Sequence, residues 1–428
     1  MLDPSVLNTL ARCFLAGESS IEQIILRSNQ ALGRSYVWIR PLARRYVQGT
    51  AGQIRPRYRE VVEFILRDPA WSEAIAEETH QVSVEHWPVE PQRMQPIAAA
   101  RTWNIPAIES VGALADWLWL EYGELDWFAD LKGLGCKTRD PKLRHYCYRL
   151  FPKRSGGARL VESPKRRLKK VQREILAGIL EQVPSHPAAH GFIKGRSIKT
   201  FASPHVGQEV VLRMDLENFF VSIGRARIQT IFRMMGYPES VADLLGGLCT
   251  NATPRDIWPD PLYCQPHLPQ GAPTSPALAN LCAFRVDCRL SGLAKSAGAE
   301  YTRYADDLVF SGGREFARPA ERFALHAAAI LLEEGFHVNH RKTRIMRQGV
   351  RQYLAGIVAN QKINVVRGDF DRLKAILTNC VRHGPESQNR EAHPAFRSHL
   401  EGRISFFEMI NPAKAKRLRA IFEQIRWN

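Results

Sequence analysis

Residues 301 to 311 read Tyr-Thr-Arg-Tyr-Ala-Asp-Asp-Leu-Val-Phe-Ser. Two adjacent aspartates stand between short apolar β-forming runs, Tyr301 to Tyr304 and Leu308 to Phe310. That pattern predicts a β-hairpin with Asp306 and Asp307 at its turn. Two carboxylates sharing a turn repel each other unless cations bind, and hard oxygen ligands suit Mg²⁺. A lone pair of this kind is ordinarily a solvated turn. Here a third carboxylate falls into the same reading. Asp215 ends the run Val210-Val211-Leu212-Arg213-Met214, which has the character of a buried strand, and Leu216-Glu217-Asn218-Phe219-Phe220 follows. An aspartate at the end of a buried strand is costly unless it is paired or metal-bound. Together, Asp215 and the hairpin aspartates would hold two metal ions about 3.5–4 Å apart, the arrangement used for in-line phosphoryl transfer.

Further blocks fall in order around these carboxylates. Arg149-Leu150-Phe151-Pro152-Lys153-Arg154-Ser155-Gly156-Gly157-Ala158-Arg159-Leu160-Val161 comes first, then His190-Gly191-Phe192 with Gly195-Arg196-Ser197, then the Asp215 block. Leu268-Pro269-Gln270-Gly271-Ala272-Pro273-Thr274-Ser275-Pro276 reads as a loop leading into a helix. Beyond Tyr304-Ala305-Asp306-Asp307 lie Gly335-Phe336-His337-Val338-Asn339 with Lys342-Thr343, and Tyr353-Leu354-Ala355-Gly356-Ile357-Val358, which reads as a strand. In this order, over residues 110 to 428, the chain resembles reverse transcriptases. Within that class it is most similar to the bacterial retron enzymes, through Phe151-Pro152-Lys153, Ser155-Gly156-Gly157, His190-Gly191-Phe192 and Tyr304-Ala305-Asp306-Asp307. It departs from them at two places. Phe201-Ala202-Ser203-Pro204-His205 keeps the histidine of the Asn-Ala-x-x-His block but not its asparagine, and Leu354-Ala355-Gly356 stands where Val-Thr-Gly is usual.

The resemblance implies an α+β right-hand polymerase, with fingers, a palm whose antiparallel sheet carries the aspartates, and a helical thumb. It implies RNA-directed DNA synthesis from dNTPs with two Mg²⁺ ions. The catalytic residues would be Asp215, Asp306 and Asp307, and the metal set would be these with Leu216. Lys153, Arg154, Arg159, Phe220, Gln270, Gly271 and Lys342 would meet the nucleotide. Arg159 is the preferred bidentate phosphate partner, Phe220 the gate that clashes with a 2′-OH, and Lys342 a proton donor to the leaving pyrophosphate. Tyr304, Lys414, Lys416, Arg417 and Arg419 would contact nucleic acid. A retron enzyme implies a structured non-coding RNA as template, a 2′-OH of it as primer, an RNA–DNA hybrid product, antiphage defence and a separate effector protein. Three alternatives stay open: a non-retron bacterial defence enzyme, an intron-related one, and a non-catalytic RNA-binding polymerase fold. The intron case is weakened because no maturase or nuclease segment follows the thumb.

Charge points the same way. A formal net charge of +17 and a pI near 9.7 favour a polyanionic partner. The eight cysteines include no Cys-x-x-Cys pair, and Cys264-x-x-His267 is only half a zinc site. Reduced thiols and a cytoplasmic location are expected. No apolar run reaches the roughly 20 residues that a membrane span needs, and no membrane partner is expected.

Organisation follows from periodicity. Residues 1–95 read as a helical extension, with Leu7, Leu10, Ala11, Phe14 and Leu15 on one face, and Val61, Val62, Phe64, Ile65 and Leu66 on another. Arg40, Arg44, Arg45, Arg55, Arg57 and Arg59 make its middle basic, either as a solvated face or as an RNA contact. Pro88, Pro91 and Pro96 mark its end. Residues 96–350 read as fingers and palm, beginning with a helix from Ile108 to Phe128 whose Trp117, Trp119 and Trp127 are expected in the core. Residues 351–428 read as primer grip and thumb. Its helical faces are Phe370, Leu373, Ile376, Leu377, Cys380 and Val381, then Leu400, Ile404, Phe407 and Ile410, then Leu418, Ile421, Phe422 and Ile425.

Overall fold

The computed structural model describes residues 4–77, 82–152 and 156–427, with side chains of 75–77 excepted. Two compact units emerge, Met1–Pro184 with Phe220–Leu278, and Ser185–Phe219 with Ala279–Asn428. Among the described residues, no helix is long and apolar enough to cross a membrane. All eight cysteines are free.

The first unit begins with helices Pro4–Leu15, Ile21–Ala31, Ile39–Thr50, Tyr58–Arg67 and Pro69–Glu77. Apolar residues three and four apart put Leu10, Phe14, Ile24, Ile39, Leu42, Val61, Ile65 and Trp71 into one core. Leu66, expected on that face, is instead half exposed. The arginine-rich middle divides by role. Arg45 pairs with Asp68 at 2.5–2.6 Å, and buried Arg55 donates to the Arg93 carbonyl at 2.7 Å. Arg40, Arg44 and Arg59 face solvent.

The helix expected from Ile108 to Phe128 is two helices, Val111–Leu118 and Tyr122–Ala129. They break at Trp119, which is left-handed at φ +55°. That corner turns the Trp119 ring outward, to 87% exposure, and Trp127 is 44% exposed with its ring edge-on to His145. The core expectation therefore fails for both. Trp117 does pack inward, so close to Gly178 that a Cβ there would lie 2.5 Å from the ring. Residues 102–131, which include this corner, hold six acids and no Lys or Arg, and one of them, Glu124, pairs with Arg167 at 2.6 Å. Beyond the corner, β1 (Tyr146–Pro152) and β2 (Ala158–Pro164) form an antiparallel hairpin.

The second unit is organised by an antiparallel sheet of β3 (Val210–Asp215), β4 (Glu300–Tyr304), β5 (Asp307–Gly312) and β6 (Arg344–Arg347), in the order β4-β5-β3-β6. Strand β3 pairs with β5 on one side and β6 on the other, and five of its six residues are buried. Val211, Val309 and Met346 share one core with Leu373, Leu377, Leu400, Ile404 and Leu418 of helices Arg367–His383, Phe396–Ile410 and Pro412–Phe422. Val381 was expected on this core face and is 38% exposed. Residues 353–358, read from sequence as one strand, are a tight hairpin of β7 (Tyr353–Leu354) and β8 (Ile357–Val358), with β9 (Asn364–Val365) beside β8. Ala355 at φ +42° and Gly356 at φ +93° make the turn. Two consecutive positive-φ residues give the turn whose twist matches paired strands.

His205 is fully buried against this sheet. Its Nε2 lies 2.7 Å from the Thr302 hydroxyl, which itself donates to the Phe201 carbonyl at 3.0 Å. Nε2 must therefore carry the proton, and Nδ1 accepts from Ser311 Oγ at 2.6 Å. Both nitrogens are satisfied with the ring neutral, and burial pushes its pKa down to about 3. The unfolded chain binds this proton near pH 6.5 and the folded chain does not. Stability from this residue is thus complete above pH 6.5 and is lost as pH falls towards 3. We expect the stability gap between wild type and His205→Gln, measured by urea denaturation, to narrow on acidification by up to about 1.4 kcal/mol per pH unit. A gap independent of pH between 6.5 and 4 would refute the assignment.

Candidate active site

Strand pairing assembles the three carboxylates. Asp215, the last residue of β3, lies directly opposite Asp307, the first of β5, and Tyr304 of β4 pairs with Asp307 on its other side. Asp306 sits in the turn between β4 and β5, after Ala305 at φ +56°. The Leu216 amide donates to the Asp306 carbonyl at 3.0 Å, tying the end of β3 to that turn. The segment after the helix Ala320–Glu333 closes the other side. Asn339 N–H donates to the Asp215 carbonyl at 2.7 Å, and Glu217 N–H to the His337 carbonyl at 2.8 Å.

Two cations stand among these acids. Lys342 Nζ is 2.9 and 3.0 Å from the two carboxylate oxygens of Asp215. Arg213 donates twice to Asp307 Oδ1, at 2.9 and 2.6 Å. Asp306 has no such partner among the described residues. Burial, then the charges of Asp307 and Asp215, raise its pKa to about 6. Burial also raises that of Asp307, against the opposing pull of Arg213. Among the described residues, no three His, Cys, Asp or Glu side chains converge as a finished metal cage. The donors are nonetheless hard carboxylate oxygens with an excess of negative charge at Asp306, which is the chemistry that a divalent cation relieves.

Beneath the turn lies a buried polar network that the sequence reading did not single out. Arg303 is fully buried. It makes a two-pronged bond to Asp287, from Nε at 2.8 Å and Nη2 at 2.7 Å. Its Nη1 donates to Asn280 Oδ1 at 3.0 Å and to the Ala305 carbonyl at 3.1 Å. Tyr301 OH adds a bond to Asp287 at 2.8 Å, and Asn280 Nδ2 donates to the Gly191 carbonyl at 2.9 Å. Gly191 touches the turn itself, since a Cβ there would sit 2.7 Å from the Ala305 nitrogen. The one available signal was an arginine between β-forming residues of a strand, which demands a partner once that strand is buried.

The remaining residues singled out from sequence are placed as follows. Tyr304 packs between Phe192 and Phe201, with ring centroids 6.4 and 5.6 Å away. In the first unit, Arg159 is exposed on β2 opposite Phe151. Lys153 and Arg154 lie outside the described residues. The Gln270 carbonyl accepts from Glu162 N–H at 2.9 Å. Gly271, at φ +135°, passes so close to β2 that a Cβ would lie 2.9 Å from the Glu162 carbonyl. Glu162 is itself fully buried, held by His267 at 2.9 Å, Asn251 at 2.8 Å and Thr253 at 2.7 Å. Burial pushes its pKa up, but these partners outweigh it and hold the carboxyl below the usual range. His267 is thus committed to a carboxylate rather than to a zinc half-site. Phe220 opens the second stretch of the first unit, and Ile223 N–H donates to its carbonyl at 3.1 Å. In the C-terminal helix, Lys414 lies over the Phe370 ring at 5.2 Å and Arg419 pairs with Glu408 at 2.9 Å. Lys416 and Arg417 are exposed.

Residues 151–363 match the family described as Reverse transcriptase (RNA-dependent DNA polymerase). The chain is 44% identical over 284 residues to the Retron Mx65 reverse transcriptase of Myxococcus xanthus, covering 65% of this chain and 64% of that protein. It is 36% identical over 341 residues to the Retron Mx162 reverse transcriptase of the same organism, covering 74% and 67%. It is 30% identical over 277 residues to the Retron Ec86 reverse transcriptase of Escherichia coli, covering 63% and 79%. The chain belongs to the retron reverse transcriptases. Membership in that family carries a palm-and-fingers polymerase fold, and the antiparallel sheet bearing Asp215 and Asp307 accords with it. The departures at Phe201 and Leu354-Ala355 therefore lie within the retron family. In this retron reverse transcriptase Phe201 is fully buried beside His205.

The buried network yields a stability test. Asp287→Ala leaves the Arg303 guanidinium buried and unpaired, and we expect a loss of about 3–5 kcal/mol in chemical denaturation. Replacing both, by Asp287→Leu with Arg303→Met, should recover most of that loss, because no buried charge remains. Equal destabilisation of the single and double variants would contradict this account.

Proposed function

We propose that the chain is an RNA-directed DNA polymerase that copies a structured non-coding RNA into DNA. The observation that carries the reading is the register that sets Asp215 opposite Asp307 with Asp306 in the adjoining turn. In this reaction a primer hydroxyl attacks the α-phosphorus of a dNTP, and pyrophosphate leaves. Two Mg²⁺ ions, when bound, would lower the pKa of the attacking hydroxyl and neutralise the leaving charge. Asp215, Leu216, Asp306 and Asp307 are the residues that would hold them. Asp306 keeps its proton up to about pH 6, so cation uptake must displace it and weakens below that pH. Lys342 and Arg213 neutralise Asp215 and Asp307 when no other cation does.

Arg159 with Lys153 and Arg154 supplies cationic donors for the triphosphate. Gln270 and Gly271 offer backbone and amide groups to the nucleotide and template, and Lys342 is a proton source for pyrophosphate. Phe220 stands five residues beyond Asp215, where a ring favours a sugar without a 2′-OH. Lys416 and Arg417 are free to meet phosphates, whereas Lys414 and Arg419 also serve contacts within the thumb. The domain reading is an extension over 1–95, fingers and palm over 96–350, and primer grip with thumb over 351–428. The reading extends to a self-primed reaction from a 2′-OH in the cytoplasm, yielding a branched RNA–DNA hybrid, with antiphage defence through a separate effector protein as its biological setting.

Asp306→Ala with Asp307→Ala should abolish Mg²⁺-dependent primer extension and leave RNA binding largely intact, because the basic surface survives. Wild-type-like extension by that variant would overturn the reading. Phe220→Ala should raise rNTP incorporation relative to dNTP in single-nucleotide extension assays. Unchanged discrimination in an active variant would return Phe220 to packing alone.

A further inference from the structure

The C-terminal helices line an open cavity of about 490 Å³ whose walls include none of the residues assigned to the reaction above. That volume lies within the ~300–1,000 Å³ typical of small-molecule sites. Its walls include Val366 and Asp369 at the start of helix Arg367–His383, and Ser398, Gly402, Arg403 and Phe406 along helix Phe396–Ile410.

Three features of this cavity lack an explanation within the fold. Gly402 sits in the middle of a helix, where glycine weakens it, yet a Cβ there would meet nothing within 4 Å. No neighbour requires the glycine; what it provides is open space. Arg403 is partly buried, and its guanidinium donates no hydrogen bond to any described residue. Burial draws its pKa below the ordinary arginine value, the charge of Asp369 acts the other way, and the like charge of Arg372 lowers it further. Phe406 presents a ring that is 38% exposed, beside Phe407, which packs into the core.

We infer that this cavity receives an unstacked guanine base of the RNA. The inference takes from the functional reading only that the chain handles RNA. A phosphate would satisfy Arg403, with Arg372 near by, but it brings no donor to the Asp369 carboxylate. Guanine presents acceptors at O6 and N7, which suit arginine, and N–H donors at N1 and N2, which suit a carboxylate. Phe406 supplies a face for stacking, as sequence-specific RNA recognition uses on splayed bases, and Val366 an apolar wall. Adenine lacks the O6 acceptor and the N2 amine, so it meets neither charged group correctly.

The test uses the full chain and fluorescein-labelled uridine nonamers carrying a central guanosine, inosine or adenosine, read by fluorescence anisotropy. Guanosine should bind roughly tenfold tighter than adenosine, with inosine between them because it lacks the N2 amine. Gly402→Leu should erase the preference by filling the cavity, while circular dichroism remains that of wild type because leucine favours the helix. Asp369→Ala should bring guanosine down to inosine. Extension of oligo(dT) on poly(rA) should be unchanged in both variants. If wild type itself fails to extend that primer, the polymerase reading falls and the binding result still stands alone. No guanosine preference in wild type, or a preference that survives Gly402→Leu, would overturn the inference. So would Arg403→Met weakening all three nonamers equally with a shallower salt dependence, since that marks a phosphate contact.

Discussion

The buried pair between Arg303 and Asp287 holds the rest of the second unit to its geometry. A guanidinium with no exposed surface can persist only if its donors are met, and here Asp287, Asn280 and the Ala305 carbonyl meet them. One donor therefore ends on the turn that presents Asp306. Through Asn280 the same cluster fixes the Gly191 carbonyl, and Gly191 abuts the turn from outside. The strained Ala305 conformation is thus braced from two sides. Such a cluster adds little net stability over an apolar core, but it makes any other arrangement expensive. That is a suitable foundation for three acids that would otherwise move apart.

The acids were legible in the sequence because their signals are local. Apolar runs of strand length flank Asp306-Asp307, and another precedes Asp215. The register that makes Asp215 and Asp307 neighbours is seen only in the folded sheet, because β3 and β5 are buried along nearly their whole length and show no alternation. The network below was not legible, because Asp287 and Asn280 lie 16 and 23 residues from Arg303 on helices whose local pattern does not mark them as buried partners. Likewise the sequence suggests Lys342 only as a proton donor to pyrophosphate. Its approach to Asp215 depends on the loop through Asn339, which binds the Asp215 backbone.

Elsewhere the sequence misled through conformations that periodicity cannot see. A left-handed Trp119 breaks one helix into two and reverses the fate of two tryptophans. Two positive-φ residues turn an apparent strand at 353–358 into a hairpin. In the tail, apolar spacing identified the buried faces, yet it could not separate Lys414 and Arg419, engaged by Phe370 and Glu408, from the exposed Lys416 and Arg417.

The corner at Trp119 also shapes how the molecule meets a polyanion. Its segment is wholly acidic in a chain of net charge +17. Where its acids are unpaired, such a segment repels a polyanion and is the part of the chain least suited to lie against one. The exposed Trp119 and Tyr122 rings lie in that same segment, where unpaired acids repel a polyanion rather than bind it.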